Sequence, residues 1–306
     1  ERMHGGILHV NHIKDQIHCE RAYRMGLYGK GIGVAVMDTG IFLHRDFDSR
    51  VIGFADMVNG KNFAYDDCGH GTHICGIIGG SGRMSGGRYS GIAPGCDLVM
   101  VKVLDRKGNG YSSDVLAGIS WILERKEKLG IRILNISVGA CSKRGMSENS
   151  ALVKGVNRAW DAGLVVVVAA GNNGPRTMSI TTPGISRKVI TVGCSDDDRE
   201  VLVGGNRMVE YSGRGPTAAC IGKPDLVAPG CSVVGCASRA DKYTIKSGTS
   251  MSTPIVSGAV ALLLERFPDM SNKDVKLRLR ESSVDIGLPR NQQGWGLLDV
   301  GKMLER

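Results

Sequence analysis

The stretch "GIGVAVMDTG", Gly31 to Gly40, decides the fold. From Ile32 to Met37 every residue is apolar or glycine, with no alternation of polar positions, so a strand here must be covered on both faces. Asp38 interrupts the apolar run at the strand's end, and Thr39 and Gly40 turn the chain away. Four further short β-branched runs also read as buried strands: "DLVMVKVL" (97–104), "IRILNISV" (131–138), "LVVVVAAG" (164–171) and "KVITVGC" (188–194). Between them lie helix-like segments at 70–78, 113–128 and 149–162, the second placing Val115, Ile119 and Ile122 on one face. This alternation predicts an α/β fold, a three-layer doubly wound, mostly parallel sheet with helices on both faces. No repeat, linker or low-complexity segment divides the chain, so residues 1–306 form a single domain, with 1–30 as an N-terminal extension packed on its core. Ligands on such sheets gather at the carboxyl ends of the strands.

Composition narrows the classes. The chain has 306 residues, 42% hydrophobic but only 5% aromatic, with 44 glycines, which suits a core of Val, Ile, Leu and Ala joined by tight turns. The net charge is +9, yet the 39 cationic residues are scattered among 30 acidic ones without a basic run, which favours solubility over a nucleic-acid partner. No apolar run has the length of a membrane span. Nine cysteines occur without a CxxC pair or a nearby histidine cluster, so no metal is expected on that pattern. Their odd number fits a reducing, cytoplasmic setting better than a disulfide framework, a secreted mature form being the alternative. The chain starts at Glu1 with no visible signal peptide.

Four short segments carry chemistry. Asp38 at a strand end would alone be a turn cap. In "DCGHGTHICGIIGG" (67–80) Gly69 and Gly71 flank His70 at the entry to an apolar helix, where an isolated histidine would serve capping or packing. In "SGTSMSTPIVSGAVALLLE" (247–265) Ser250 stands at the mouth of an apolar helix, with Pro254 expected in its first turn, where the missing N–H does little harm. A hydroxyl there either caps the helix or acts as a nucleophile whose oxyanion the helix end stabilises. In "GNNGP" (171–175) Asn172 follows a strand; it is either part of a turn or an amide donor aimed at the strand rim. Asp, His and Ser at the ends or starts of regular elements on one rim are the set that acyl transfer needs, and Asn172 with the Ser250 N–H would supply two donors for a tetrahedral oxyanion.

The blocks "VAVMDTGI", "GHGTHICGII", "VVAAGNNG" and "SGTSMSTPIVSG", in this order, resemble the Asp, His, oxyanion-Asn and Ser blocks of the subtilisin-like serine proteases. "SGIAPGCDLVMVKVLD" and "GKPDLVAPG" extend the resemblance from about residue 10 to the C-terminus. It implies a single peptidase domain with the catalytic set Asp38, His70, Ser250 and Asn172. It also implies that Gly108, Asn109 and Gly110 face Ser137, Val138 and Gly139 across an extended polypeptide substrate. The pocket before the cleaved bond would have Ser137–Gly139 and Ala169, Ala170 and Gly171 as walls and Thr181 as floor.

The sequence departs from the family pattern at Ile74-Cys75 and at Ser252, small changes in volume. Cys75 reads as a core residue rather than a redox handle beside His70. The loop Gly79–Ser90 has Arg83 and Arg88 and no Asn, Asp or Glu, poor ligation for calcium even with Asp46 nearby. No cofactor is expected to be required, and a weak calcium or sodium site elsewhere is left unlocated. Two functions from different classes compete: an endopeptidase of broad specificity with an apolar preference before the cleaved bond, and a catalytically silent domain that binds peptides along the same strands. The intact Asp38, His70 and Ser250 favour the first; a serine esterase or peptide ligase with the same triad is a third option, differing only in what the acyl-enzyme meets next. The sequence leaves the oligomeric state open.

Overall fold

The structure, a computed structural model, describes residues 10–139 and 147–305. The chain opens with α1 (Val10–Gln16), α2 (Glu20–Arg24), β1 (Gly33–Asp38), β2 (Val51–Asp56), α3 (His70–Gly79) and β3 (Asp97–Lys102). It continues through α4 (Ser112–Arg125), β4 (Ile131–Ile136), α5 (Ala151–Asp161), β5 (Val165–Ala169) and β6 (Ile190–Cys194). Then come β7 (Val201–Val203), β8 (Asn206–Met208), β9 (Leu226–Ala228), β10 (Val233–Cys236) and β11 (Tyr243–Lys246). The helices α6 (Thr249–Arg266), α7 (Asn272–Ser282), α8 (Arg290–Gln293) and α9 (Val300–Met303) complete it.

Seven strands form one sheet in the order β2-β3-β1-β4-β5-β6-β9, and every neighbouring pair is parallel. All six residues of β1 are buried, as the unbroken apolar run requires of a central strand. Because β1 lies between β3 and β4, the strand order reverses direction around it, and the crevice of such a sheet opens at its carboxyl end. Asp38 ends β1 there. Helices α3 and α6 pack on one another, and α6 rests on β4, β5 and β6; α4 and α5 pair and touch β1 and β5. This is the three-layer α/β arrangement that the strand and helix alternation predicts. The hairpins β7–β8 and β10–β11 are antiparallel additions outside the sheet.

Helix α6 is apolar nearly all round, with every residue from Met251 to Leu264 buried, so it is a core helix rather than a surface one. Among the described residues no helix is long and apolar enough to cross a membrane. Pro254 is the sixth residue of α6, one turn further in than the sequence suggests. It therefore removes a ladder bond that the Ser250 carbonyl would have accepted. Of the N-terminal extension, residues 1–9 lie outside the described residues, while Ile13, Ile17, Cys19 and Ala22 are buried in the common core. The Ile17 carbonyl accepts from Val300 N–H, which ties this segment to α9.

Candidate active site

The catalytic candidates lie where strand ends and helix starts meet on one rim of the sheet. Asp38 closes β1 and is fully buried; its carboxylate accepts the Thr39 N–H at 2.7 Å. His70 begins α3, and its Nδ1 lies 2.8 Å from Asp38 Oδ1 and 2.9 Å from Oδ2. An ionised carboxylate can only accept, so Nδ1 carries the proton and the Nε2 lone pair is left to act as a base. The imidazole side chain keeps 23% exposure while Asp38 has none. Burial disfavours the imidazolium, but the charge of Asp38 and its hydrogen bond more than offset this, and the His70 pKa ends above its ordinary value, with Lys246 pulling the other way.

The turn into α3 depends on glycine at one point above all. A β-carbon at Gly71 would come within 2.2 Å of the Gly40 carbonyl oxygen and 3.1 Å of Asp38 Cβ, so only glycine lets the helix start approach the end of β1. Asp66 fastens the same turn. Its Oδ1 accepts from Thr39 Oγ1, Cys68 N–H and Gly69 N–H, and its Oδ2 from the N–H and hydroxyl of Thr72. From below, the fully buried Lys102 ammonium donates to the carbonyls of Thr39 and Leu104 and to Asp67. A buried ammonium needs such partners, and here they fix the chain just past Asp38.

Ser250, second in α6, donates its hydroxyl to the Ser137 carbonyl at 2.7 Å. Ser137 follows β4, the neighbour of β1, so the serine stands on the same rim as Asp38. The hydroxyl is thus engaged with the edge of β4, a different partner from the histidine that a proton transfer requires. A buried polar chain positions this corner: Ser257 Oγ of α6 donates to Asn135 Oδ1, and Asn135 Nδ2 donates to Ser137 Oγ.

Asn172 leaves β5 through Gly171. Its Oδ1 accepts the Thr249 N–H and hydroxyl, both at 3.0 Å, and Thr249 Oγ1 also accepts from Gly171 N–H. With the carbonyl end so tied, the orientation of the amide is set, and Nδ2 faces the mouth of α6. Gly248, at φ 138°, leaves that space open; a β-carbon there would stand 3.2 Å from Asn172 Nδ2. The following turn is held too: Gly174 N–H donates to the Tyr211 carbonyl at 2.9 Å, and a β-carbon on Gly174 would lie 2.3 Å from the Ser212 oxygen.

Gly108, Asn109 and Gly110 are exposed and border a cavity of about 230 Å³ whose other side includes Val138 and Gly139. Its base is apolar, from Leu104, Val115, Ile136 and Val156, and no charged side chain among the described residues lines it. The Asn109 backbone is committed to Asp105, its N–H donating to the carboxylate and its carbonyl accepting Asp105 N–H. Ala169 and Ala170 are buried, and the Ala170 carbonyl accepts both the N–H and the hydroxyl of Thr181. Thr181 lies between the two expected walls: β-carbons added to Gly139 and Gly171 would meet its Oγ1 at 2.3 and 2.5 Å. The cavity between the strands is bounded by Thr182 and Pro183, just beyond it.

Asp66, Lys102, Asn135 and Thr249 escaped the sequence reading. Asp66 alone left a usable signal, an acid four residues before His70 where a loop must be closed. In the Gly79–Ser90 region, Asp46 Oδ1 accepts Met84 N–H and its Oδ2 the Tyr243 hydroxyl, while Arg50 donates to the carbonyls of Gly79, Cys96 and Asp46. The Asp46 carboxylate and these carbonyls are thus turned to protein donors.

Similarity to known proteins agrees with this geometry. The subtilase family profile matches residues 29–296. Serine protease AprX of Bacillus subtilis is 41% identical over 285 residues, covering 87% of this chain and 64% of its own length, so the chain spans under two thirds of that relative. Subtilisin DY of Bacillus licheniformis is 32% identical, with 93% of this chain and 94% of that protein covered. Among solved structures, Sphericase superposes with a TM-score of 0.75 at 31% identity, over 89% of this chain and 92% of its own. The profile takes in the whole parallel sheet and every one of the strand ends just described, and the chain belongs to the subtilase family of serine endopeptidases.

Proposed function

We propose that this chain hydrolyses peptide bonds through Ser250 as nucleophile, His70 as general base and then acid, and Asp38 as the group that orients His70 and stabilises its cation. The observation that carries this is the rim: the neighbouring strands β1, β4 and β5 end at Asp38, at the Ser137 carbonyl that holds Ser250, and at Asn172. An extended substrate would pair with the edges at Gly108–Gly110 and Ser137–Gly139 by strand addition. A substrate N–H that takes the Ser137 carbonyl displaces the Ser250 hydroxyl, which then turns to His70 Nε2. Attack on the scissile carbonyl moves the serine proton to His70 and charge to the oxyanion, where Asn172 Nδ2 and the N–H of Ser250 donate. His70 returns the proton to the leaving amine, and water completes hydrolysis of the acyl-enzyme.

Backbone pairing makes the specificity broad, and the apolar cavity favours apolar side chains before the bond. Thr181 is the floor of the pocket next to the bond and shortens it toward Leu or Met. All groups in this sequence are side chains and backbone amides of the chain, so no cofactor enters the chemistry; chelation with EDTA is expected to leave the melting temperature nearly unchanged. A reducing compartment suits the eight described cysteines, all free thiols, six of them buried. Alkylation and mass analysis of protein isolated without reductant would test that.

The decisive test is a fluorophosphonate probe followed by peptide mapping. Label on the peptide containing Ser250, lost in Ser250→Ala, is expected. A folded sample that takes no label would leave only a peptide-binding domain.

A further inference from the structure

We infer that the leaving-group side of the cleft selects acidic residues directly after the cleaved bond. This rests on Ser250 being the nucleophile and specifies the half of the substrate that the proposed function leaves open.

The cleft has a direction. The acyl half lies along Ser137 and Gly108–Gly110, because the Ser250 hydroxyl sits on the Ser137 carbonyl. The leaving amine must collect its proton from His70 Nε2, so the chain after the bond departs over His70, past Gly69 and Cys68. There a second cavity, of about 510 Å³, opens between Cys68 and Gly69 on one side and Arg239, Lys242, Thr244 and Lys246 on the other. Lys246 ends β11, four residues before Ser250, and its charge acts on both His70 and Cys68.

Charge separates the two cavities. The acyl side has no charged lining among the described residues. Around the leaving-group side, Arg239, Lys242 and Lys246 form no ion pair among the described residues, whereas the nearby acids are committed. Asp241 pairs with Arg45, Asp67 with Lys102, and Asp66 is filled by its own loop. Three cations without an ion-pair partner beside the departing chain attract a carboxylate and repel a second cation, against a smaller opposing field from Asp66 and Asp38, whose charges also reach Cys68. Water screens them, so discrimination is graded rather than absolute.

Internally quenched peptides test this, identical on the acyl side, amidated at the C-terminus, and carrying Glu, Gln or Lys at both positions after the bond. The expected order of kcat/KM is Glu over Gln over Lys, with about fivefold per step at low salt. The order should collapse in about 1 M salt, where the screening length is near 3 Å. Lys246→Glu should flatten or invert it, and the Arg239→Gln, Lys242→Gln pair should weaken it; continued labelling of Ser250 by the fluorophosphonate certifies each variant as folded. Cleavage with no charge ranking would overturn the inference and leave the protease standing. A gain seen only with a free C-terminal acid would place recognition at the chain end and overturn it equally. No cleavage and no labelling would remove the nucleophile on which both rest.

Discussion

The two halves of the catalytic corner are prepared to different degrees. Asp38 and His70 are joined by two short contacts, closed from above by the five donors to Asp66 and from below by Lys102. Ser250 has its backbone placed by α6 and its neighbour Thr249 locked to Asn172, but its hydroxyl is given to Ser137. On the proposed roles, the base is assembled before substrate arrives, whereas the nucleophile waits on a carbonyl that a substrate strand would claim. Proton acceptance needs an oriented imidazole at all times; a hydroxyl rotates about one bond and can be aligned last.

The largest break in this comparison is Ser250→Ala. It removes the proposed nucleophile and only one small polar atom, so kcat should fall by about 10⁶, the size carried over from subtilisin by kinship, with the melting temperature preserved. Retained hydrolysis would mean another residue attacks. Asp38→Ala strikes the prepared half, and a kcat loss of about 10⁴ is expected, again on subtilisin's scale. The same substitution should move the acid limb of the pH profile downward, because Asp38 is what holds the His70 pKa up. In the unaltered protein activity should rise with pH through a midpoint above about 6.5. The sign for stability is opposite: a pKa raised on folding contributes stability that is fully present below the unfolded value and is lost as pH rises through the folded one. Activity is gained where that contribution fades, and parallel activity and melting curves against pH would show the two moving apart.

Asn172→Ala should lower kcat by about 10²–10³ with KM little changed, the magnitude for the same donor in subtilisin, since the oxyanion exists only in the transition state. An unchanged kcat would take Asn172 out of the oxyanion site. Thr181→Gly should have the smallest effect. It lengthens the slot between Gly139 and Gly171 and should shift preference from Leu or Met toward Phe or Tyr by about 1–3 kcal/mol. An unaltered ranking in a peptide panel would locate the floor elsewhere.

The central strands were legible because β1, β3, β4, β5 and β6 are short runs rich in Val, Ile and Leu, and the four candidate residues because each stands at an end of such an apolar run with a glycine within two positions. β2 was not legible: "VIGFAD" is half exposed, with glycine in the middle. β9 has only three residues between prolines, and the strand exists because β6 pairs with it. The partner of Ser250 lies 113 residues away, a distance at which no local pattern speaks. Lys102 reads as a surface cation at the edge of an apolar strand; only the folded rim supplies the carbonyls that make it a buried support.

One clamp bears on how the protein ages. An asparagine before glycine is the dipeptide in which the backbone nitrogen most readily attacks the preceding amide, expelling ammonia and leaving a succinimide. At Asn173-Gly174, directly after Asn172, that nitrogen holds its proton against the Tyr211 carbonyl, and the glycine is wedged against the Ser212 oxygen. Ring closure requires this turn to open first. Chemical damage at the site therefore waits on local unfolding, and shelf life follows the rate of that opening rather than the intrinsic reactivity of the dipeptide.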